Sequence, residues 1–163
     1  MIRFAKLRTE AKIPKKEYGS AGFDIYACFD EPYLKLPAHK TTMIPTGICS
    51  IIPEYVYAQM FNRGSNGSKG LTQSCGVIDP NYRGEWFVAY TNENDKDWYI
   101  CKKEFIENNK ILEQFINIYP YEKAICQYVL LPILDETNQE VPLSEIQNDS
   151  TNRGAGNLGS SGK

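Results

Sequence analysis

The stretch that decides the organisation of this chain is Gly76-Val77-Ile78-Asp79-Pro80-Asn81-Tyr82-Arg83-Gly84-Glu85-Trp86. Val77-Ile78 is apolar and β-branched, which predicts the end of a strand. Asp79-Pro80-Asn81 is a turn sequence, because proline fixes φ and the Asp and Asn side chains bond back to the backbone. Residues 86–90 then predict a second strand. The whole stretch predicts a tight hairpin with a carboxylate where its first strand ends.

The carboxylate of Asp79 has two interpretations. An Asp-Pro-Asn sequence in isolation most often only caps a turn. Held rigidly over a pocket, however, the same group could orient or deprotonate a water molecule. Tyr82 follows just beyond the bend. The motifs elsewhere in the chain favour the second interpretation.

The composition excludes several classes of function. The chain has 163 residues, which fits one domain with a substantial core. A net charge of −2 without a basic block gives no support for a nucleic-acid partner. No apolar run reaches membrane-spanning length and no signal-peptide core is present, so we expect a soluble, cytoplasmic protein. His39 is the only histidine, which excludes a His-rich zinc site, and the five scattered cysteines predict reduced thiols.

Short strand signals separated by Gly and Pro dominate the chain. This spacing predicts an all-β fold, a barrel or a sandwich, with prolines at strand edges. The predicted strands, besides the two around Asp79, cover residues 2–7, 23–28, 33–36, 42–48, 55–61 and 126–131.

Residues 93–120 form a longer connection than a hairpin needs. Apolar residues at 105, 112, 115 and 116 predict a short amphipathic helix within residues 103–116, although Asn108-Asn109 weakens that pattern. The insertion could be a lid over a site, a surface that docks a partner protein, or an inert excursion, and the sequence leaves all three open.

Two loops combine glycines, hydroxyls and an arginine. Residues 62–70 follow a strand and contain Arg63, and residues 149–163 contain Arg153. The backbone N–H groups of such a loop, together with a guanidinium, can cradle a phosphate, although a plain flexible tail also explains the second loop. With Asp79 and no zinc machinery, the loops predict a polyphosphate substrate handled by Arg, backbone amides and Mg²⁺.

Five segments, in order, resemble the motifs of the homotrimeric dUTP pyrophosphatases, or dUTPases. They are residues 21–27, 62–70, 76–85, 125–129 and 153–162, and the third matches almost letter for letter. The insertion between the third and fourth segments resembles that of bacteriophage members, which fits viral or phage encoding. The resemblance implies an all-β, jelly-roll-like barrel over residues 1–149, a Gly-rich arm over 150–163 that closes the active site, and a homotrimer with shared sites.

The resemblance also implies the role of each site residue. Asp79 would be the general base for attack of water on the α-phosphorus of dUTP, which releases dUMP and pyrophosphate, and Gln127 would help to place the water. Tyr82 would exclude a 2′-hydroxyl, and Asp24 would reach Mg²⁺ through water. The other substrate-binding residues implied are Gln73, Gly76, Val77 and Ile78 for uracil, and Arg63, Gly64, Ser65, Arg153, Gly159, Ser160 and Ser161 for the phosphates. Leu158 stands where the family has a phenylalanine over uracil, and Gly64 where it has a serine.

Two alternative functions stay open at this point. A dCTP deaminase has the same fold, and release of ammonia from dCTP would distinguish it. A regulatory scaffold is the other alternative, in which residues 93–120, with Trp98, Tyr99 and Phe105 exposed, dock a partner protein.

Overall fold

The computed structural model describes residues 1–74, 76–111, 114–134, 137–149 and 151. The chain divides into two compact units, Met1–Ile133 and Leu134–Lys163. Within the first unit the strands are β1 (Arg3–Lys6), β2 (Phe23–Ile25), β3 (Tyr33–Leu36), β4 (Lys40–Pro45), β5 (Ile48–Ile51), β6 (Val56–Phe61), β7 (Leu71–Gln73), β8 (Val77–Ile78), β9 (Phe87–Asn92), β10 (Trp98–Cys101), β11 (Asn117–Pro120) and β12 (Cys126–Pro132). Short helices are α1 (Gly64–Gly67), α2 (Lys103–Asn108) and, in the second unit, α3 (Leu143–Asn148). The all-β prediction is confirmed.

The sheet that positions the site has the strand order β2-β12-β6-β8. β12 is antiparallel to both β2 and β6. Successive side chains of a strand point to opposite faces, so Cys126 and Tyr128 enter the core while Gln127 lies on the other face. The remaining sheets have the orders β1-β5, β11-β10-β3 and β4-β9-β7.

Aromatic side chains fill the core beneath β12. The ring of Tyr128 stacks on Phe23 at 4.9 Å and meets Trp86 edge-on at 5.4 Å. Phe4 in turn contacts Trp86 edge-on at 5.3 Å. The Trp86 indole N–H donates to Ser50 Oγ at 3.1 Å, which satisfies its buried polar group. Close packing of this kind holds β12 firmly in place.

The predicted hairpin between residues 77–78 and 86–90 is wrong. Among the described residues, β8 pairs with β6, whereas β9 pairs with β4 and β7, so the two strands belong to different sheets. The predicted turn is confirmed, because the N–H of Tyr82 donates to the carbonyl of Asp79. The Trp86 side chain is buried in the core, and the backbone N–H of Trp86 donates to Ile48 O at 2.9 Å. Burial of this large side chain outweighs a hairpin ladder.

The strand predicted over residues 42–48 is two strands, β4 and β5. The break falls at Gly47, whose φ of +68° lies in the left-handed region. A Cβ at this position would stand 2.9 Å from the side chains of Ala11 and Cys28, so only glycine fits. The N–H of Gly47 donates to Glu85 Oε1 at 2.7 Å. Glu85, the last residue of the third motif-like segment, thereby ties the stretch after Asp79 to this turn.

The connection 93–120 is built into a sheet at both ends. β10 pairs antiparallel with β3 and parallel with β11, and α2 lies between them. The helix predicted over residues 103–116 ends at Asn108, while Leu112 and Glu113 lie outside the described residues. The prediction that Trp98, Tyr99 and Phe105 are exposed is wrong, because all three are half-buried.

Most of the cysteines are buried. Cys28, Cys101 and Cys126 are buried and Cys49 is half-buried, whereas Cys75 lies outside the described residues. Burial raises the pKa of the Cys101 thiol to about 11. No helix in the described part of the chain is long and apolar enough to span a membrane.

Candidate active site

Three residues from distant motif-like segments meet on the outer face of β12. Gln127 is the register partner of Asp24 in β2 on one side and of Phe61 in β6 on the other. Arg63 follows β6 by two residues and reaches across to Asp24. The side-chain amide of Gln127 donates to Asn62 O at 3.0 Å. Strand pairing therefore brings together Asp24, Arg63 and Gln127, three of the residues to which the family resemblance assigns a role.

Asp24 and Arg63 form a two-point ion pair. Arg63 Nε lies 3.0 Å from Asp24 Oδ1, and Nη2 lies 3.5 Å from Oδ2. Both side chains are about two-thirds buried, with 32% and 30% of their surface exposed. A planar guanidinium matches a carboxylate in this fork geometry, which fixes the direction of both groups. The site thus holds a cation suited to phosphate and an anion suited to Mg²⁺ in direct contact.

Gly22 leaves the space that Gln127 occupies. A Cβ at Gly22 would collide with Gln127 Oε1 and stand 2.8 Å from its Cδ. The first motif-like segment therefore does more than supply Asp24, because its glycine allows the amide of Gln127 to lie beside it. Gly22 lies within residues 21–27, and its role becomes evident only from the contact with Gln127.

The buried residues Asn66 and Tyr119 hold the loop of residues 62–70, which carries Arg63. Asn66 is buried in α1 and donates its amide to Ile125 O at 2.6 Å. The hydroxyl of Tyr119 lies 2.8 Å from Asn66 Oδ1 and 2.7 Å from Ala124 O, and burial raises its pKa. Neither residue is predicted from the sequence as part of the site. Asn66 sits in a Gly- and Ser-rich loop, which predicts exposure, and Tyr119 lies in the connection 93–120, far along the chain from Arg63.

Gly64 and Ser65 lie on the exposed side of the same loop. Ser65 Oγ donates to Asn66 Oδ1 at 3.4 Å and is otherwise directed outward. Among the described residues, no atom other than those of its chain neighbours and of the α1 backbone lies within 4 Å of the place where a Cβ of Gly64 would stand. The glycine is therefore not required by packing, and the outer face of the loop is open to a ligand.

A second group of predicted residues surrounds a cavity beside the turn of Asp79. The cavity has a volume of about 260 Å³ and is lined by Met43, Val77, Ile78, Asp79, Tyr82, Glu85 and Phe87. Its walls are mostly apolar, and the Asp79 carboxylate is exposed at its rim. A cavity of this character suits a flat ring beside a polar group.

The ring of Tyr82 is held against its own loop. Its hydroxyl donates to Glu85 O at 3.0 Å. Gly84 permits this fold, because a Cβ there would stand 2.7 Å from Tyr82 Cζ. The aromatic ring is thereby fixed at the edge of the cavity.

Backbone groups link the two groups of residues through β6. Gly76 O accepts from the N–H of Met60 at 2.8 Å and from Gln59 Nε2 at 3.1 Å. The N–H of Gln73 donates to Asn62 Oδ1 at 2.6 Å, and its side-chain amide donates to Met60 O at 2.9 Å. Gln73 and Gly76 are therefore held by hydrogen bonds to β6 and to Asn62.

In the described part of the chain, the residues around the Asp79 cavity and those around Arg63 are not bonded to each other. Among the described residues, no hydrogen bond or ion pair connects Asp79 or Tyr82 with Asp24, Arg63 or Gln127. The predicted residues Arg153, Leu158, Gly159, Ser160 and Ser161 lie outside the described residues.

Known proteins resemble this chain in sequence. The family model described as dUTPase matches residues 9–106. A protein of Psychrobacter sp. (strain PRwf-1) named deoxyuridine 5'-triphosphate nucleotidohydrolase is 33% identical, over 97% of this chain and 92% of its own.

Solved structures show the same fold. A mutant of the Staphylococcus bacteriophage 80alpha dUTPase with dUpNHpp superposes with a TM-score of 0.76 at 19% identity, over 99% of this chain and 98% of its own. A mutant dUTPase from phage phi11 of S. aureus, reported with details of the coordination of a structural Mg(II) ion, has a TM-score of 0.65 at 18% identity, over 86% of this chain and 96% of its own.

Proposed function

Because this chain belongs to the dUTPase family, we propose that it hydrolyses dUTP to dUMP and pyrophosphate, with Asp79 as the general base. One observation carries the assignment of the site. The sheet register sets Asp24 opposite Gln127 and brings Arg63 to within 3.0 Å of Asp24, although the three residues come from three separate motif-like segments. A cation, a polar group that places water and a carboxylate base each assist hydrolysis of a triphosphate, and we assign these roles to Arg63, Gln127 and Asp79.

The proposed reaction is an in-line displacement at the α-phosphorus. Asp79 accepts a proton from the attacking water as the new bond from water oxygen to phosphorus forms. The bond from the α-phosphorus to the bridging oxygen breaks, and pyrophosphate leaves with that oxygen and its electron pair. Gln127 helps to hold the water or an α-phosphate oxygen, while Arg63 and Ser65 bind the phosphates.

The open edge of β8 supports recognition of uracil by backbone groups. β8 is the last strand of its sheet, so one row of its N–H and C=O groups has no strand partner among the described residues. Val77 and Ile78 also line the apolar cavity. A base in that cavity would meet backbone donors and acceptors at its edge, and we propose Gln73 and Gly76 as further contacts of the uracil.

Tyr82 supports selection of the deoxyribose. Its ring is fixed at the rim of the cavity by the bond to Glu85 O. We infer that a ribose 2′-hydroxyl would collide with this ring.

Asp24 fits Mg²⁺ that is held mainly by the substrate. The described residues contain no cluster of three or more Asp, Glu, His or Cys side chains that could hold a metal ion. A single carboxylate reaching the ion through water, with phosphate oxygens as the other ligands, suits the preference of Mg²⁺ for oxygen and retained water. When bound, Mg²⁺ would neutralise charge on the triphosphate.

We propose a homotrimer whose sites are shared between chains. The Asp79 cavity and the Arg63 cluster have no direct bond among the described residues, as expected if each completes a site with a neighbouring subunit. Met43, Val77 and Phe87 leave 57%, 53% and 39% of their surface exposed around the cavity, which suits coverage by a ligand or a second chain. The arm 150–163, with Arg153, Leu158, Gly159, Ser160 and Ser161, would close over the nucleotide. Nucleic acid and membrane partners are not proposed, and a cytoplasmic location and phage or viral encoding stay predictions.

The test is release of pyrophosphate from dUTP, dCTP, dTTP and UTP, each with Mg²⁺ and with a chelator. We expect release from dUTP alone and only with Mg²⁺. Release of ammonia from dCTP would support the deaminase alternative. Absence of release from every nucleotide would contradict the proposed activity and favour the regulatory scaffold, for which binding of partner proteins would then be tested.

A further inference from the structure

We propose that Asn66 and Tyr119 are positioning residues that hold the guanidinium of Arg63 in the orientation for phosphate binding. This inference rests on the proposed function, since it concerns the phosphate site of the same reaction. Both residues are 1% exposed, so neither can touch a nucleotide directly. Their effect must pass through the loop that carries Arg63.

Asn66 joins the Arg63 loop to the segment before β12. Its backbone N–H donates to Arg63 O at 2.9 Å. Its side-chain amide donates to Ile125 O at 2.6 Å. One residue is thus bonded through its main chain to Arg63 and through its side chain to residue 125, two places before Gln127. A shift of this contact would move Arg63 relative to Gln127.

Tyr119 completes the same network from β11. Its hydroxyl lies 2.8 Å from Asn66 Oδ1 and 2.7 Å from Ala124 O, and these two acceptors share its one proton. The ring is held by β11, in which Tyr119 is the register partner of Ile100 in β10. A buried hydroxyl and amide satisfy each other here, and such a network specifies one arrangement because any other leaves a polar group unpaired.

Ala124 O is the point where the network reaches the guanidinium. It accepts from the Tyr119 hydroxyl and from Arg63 Nη1, the latter at 3.3 Å. The other side of the guanidinium faces Asp24. A long arginine side chain is flexible, and two fixed contacts on opposite edges of its plane define where it points. If phosphate competes with Asp24 for Arg63, the contact with Ala124 O is the one that remains.

The connection 93–120 therefore reaches the phosphate site through Tyr119. β11 is its last strand, and the hydroxyl of Tyr119 bonds to Asn66, 53 residues earlier in the chain. The end of the insertion near β12 is thus a structural support of the Arg63 loop.

The test compares Tyr119→Phe with Tyr128→Phe. Tyr128 is equally buried, and its hydroxyl has no hydrogen-bond partner among the described residues, so the control removes the same atom without breaking a bond. We expect kcat/KM for dUTP to fall about tenfold in Tyr119→Phe and to stay within about twofold in Tyr128→Phe, consistent with the loss of a buried hydrogen bond that fixes a binding group.

A second comparison shows whether Tyr119 acts through Arg63. In an Arg63→Lys background the fork to Ala124 O and Asp24 no longer exists, so Tyr119→Phe should add less than about twofold. The full tenfold loss in that background would overturn the inference. Asn66→Leu is the second variant, with an expected loss in kcat/KM similar to that of Tyr119→Phe, and it replaces Tyr119→Phe if that protein does not fold.

A measurement without substrate separates this inference from the proposed function. The Arg63 Nε–H resonance, followed by ¹⁵N NMR of the whole protein, should show greater mobility in Tyr119→Phe than in wild type or Tyr128→Phe. If the wild type does not hydrolyse dUTP but this difference appears, the function is wrong and the positioning role stands. If neither kcat/KM nor the Arg63 signal changes, the positioning role is overturned.

Discussion

Arg63 and Asp24 form a two-point ion pair, with Nε 3.0 Å from Oδ1, that joins segments 39 residues apart. The pair brings the proposed phosphate ligand and the proposed Mg²⁺ partner into one contact. Substrate phosphate and Asp24 would compete for the same guanidinium, and Mg²⁺ and Arg63 would compete for the same carboxylate. Binding of a magnesium–nucleotide complex would satisfy both groups together, so nucleotide and metal should bind cooperatively.

Replacement of Asp79 by asparagine tests the general base. Asp79→Asn keeps the size and turn chemistry of the side chain but cannot accept the proton. We expect kcat to fall by roughly 10²–10⁴ while the Kd of a nonhydrolysable dUTP analogue stays near the wild-type value. Burst-free steady-state kinetics and calorimetric titration measure the two quantities. Near-normal turnover would remove Asp79 from this role.

Replacement of Tyr82 by alanine tests the sugar filter. Tyr82→Ala removes the ring at the rim of the cavity, so activity on UTP should rise relative to dUTP. Tyr82→Phe is the matched control, because it removes only the bond to Glu85 O and keeps the ring. The ratio of kcat/KM for the two nucleotides is the readout. An equal ratio in wild type and Tyr82→Ala would mean that the sugar is selected elsewhere.

Restoring a serine at position 64 tests whether the missing hydroxyl matters. The space around Gly64 is open within the described residues, so Gly64→Ser should fold with a change in stability of about 0.5 kcal/mol or less. We expect KM for dUTP to fall, because the hydroxyl adds a donor beside Arg63. Gly67→Ser is the control, since Gly67 also has open space and stands three residues further along, at the other end of α1. An equal change of KM in both variants would contradict the role of position 64.

An added methyl at Gly22 tests the placement of Gln127. The Cβ in Gly22→Ala would meet the far end of the Gln127 side chain, which can turn aside at little cost in stability. We expect a small change in Tm but a fall in kcat of roughly tenfold to a hundredfold, because a displacement of about 1 Å in a positioning group has an effect of this size. Gly67→Ala, placed in open space, is the control. A normal kcat with a displaced Gln127 in a crystal structure would exclude Gln127 from water placement.

Shortening the insertion tests what residues 93–120 contribute. α2 has no buried residue, so replacement of residues 103–114 by a short Gly-Ser linker should keep hydrolysis within about threefold of wild type. Deletion of all of residues 93–120 is different, because it removes β10, the partner of β3, and Tyr119. That protein should lose its cooperative thermal unfolding. Loss of turnover in the shorter deletion, with Tm unchanged, would make α2 a lid or a subunit contact.

Local pattern predicted most of the strands, because alternation of apolar and polar residues is a property of short segments. The segments 33–36, 55–61 and 126–131 coincide with β3, β6 and β12 to within a residue. Which strands pair with each other could not be predicted from such local patterns. The stretch after Asp79 has the sequence pattern of a hairpin. In the structure Trp86 is buried, and β9 pairs with β4 while β8 pairs with β6.

Sequence alone predicts the groups that are proposed to carry the chemistry: Asp79 after an apolar strand, Tyr82 beyond the turn, and an arginine in a Gly- and Ser-rich loop. The contacts that hold these groups follow from the packing of the whole chain. Asn66 is a surface residue by its local sequence and becomes buried because Tyr119 and the carbonyl of Ile125 satisfy its amide. Contacts between residues so far apart arise from strand pairing and the burial of polar groups, which depend on the packed chain and not on any single segment.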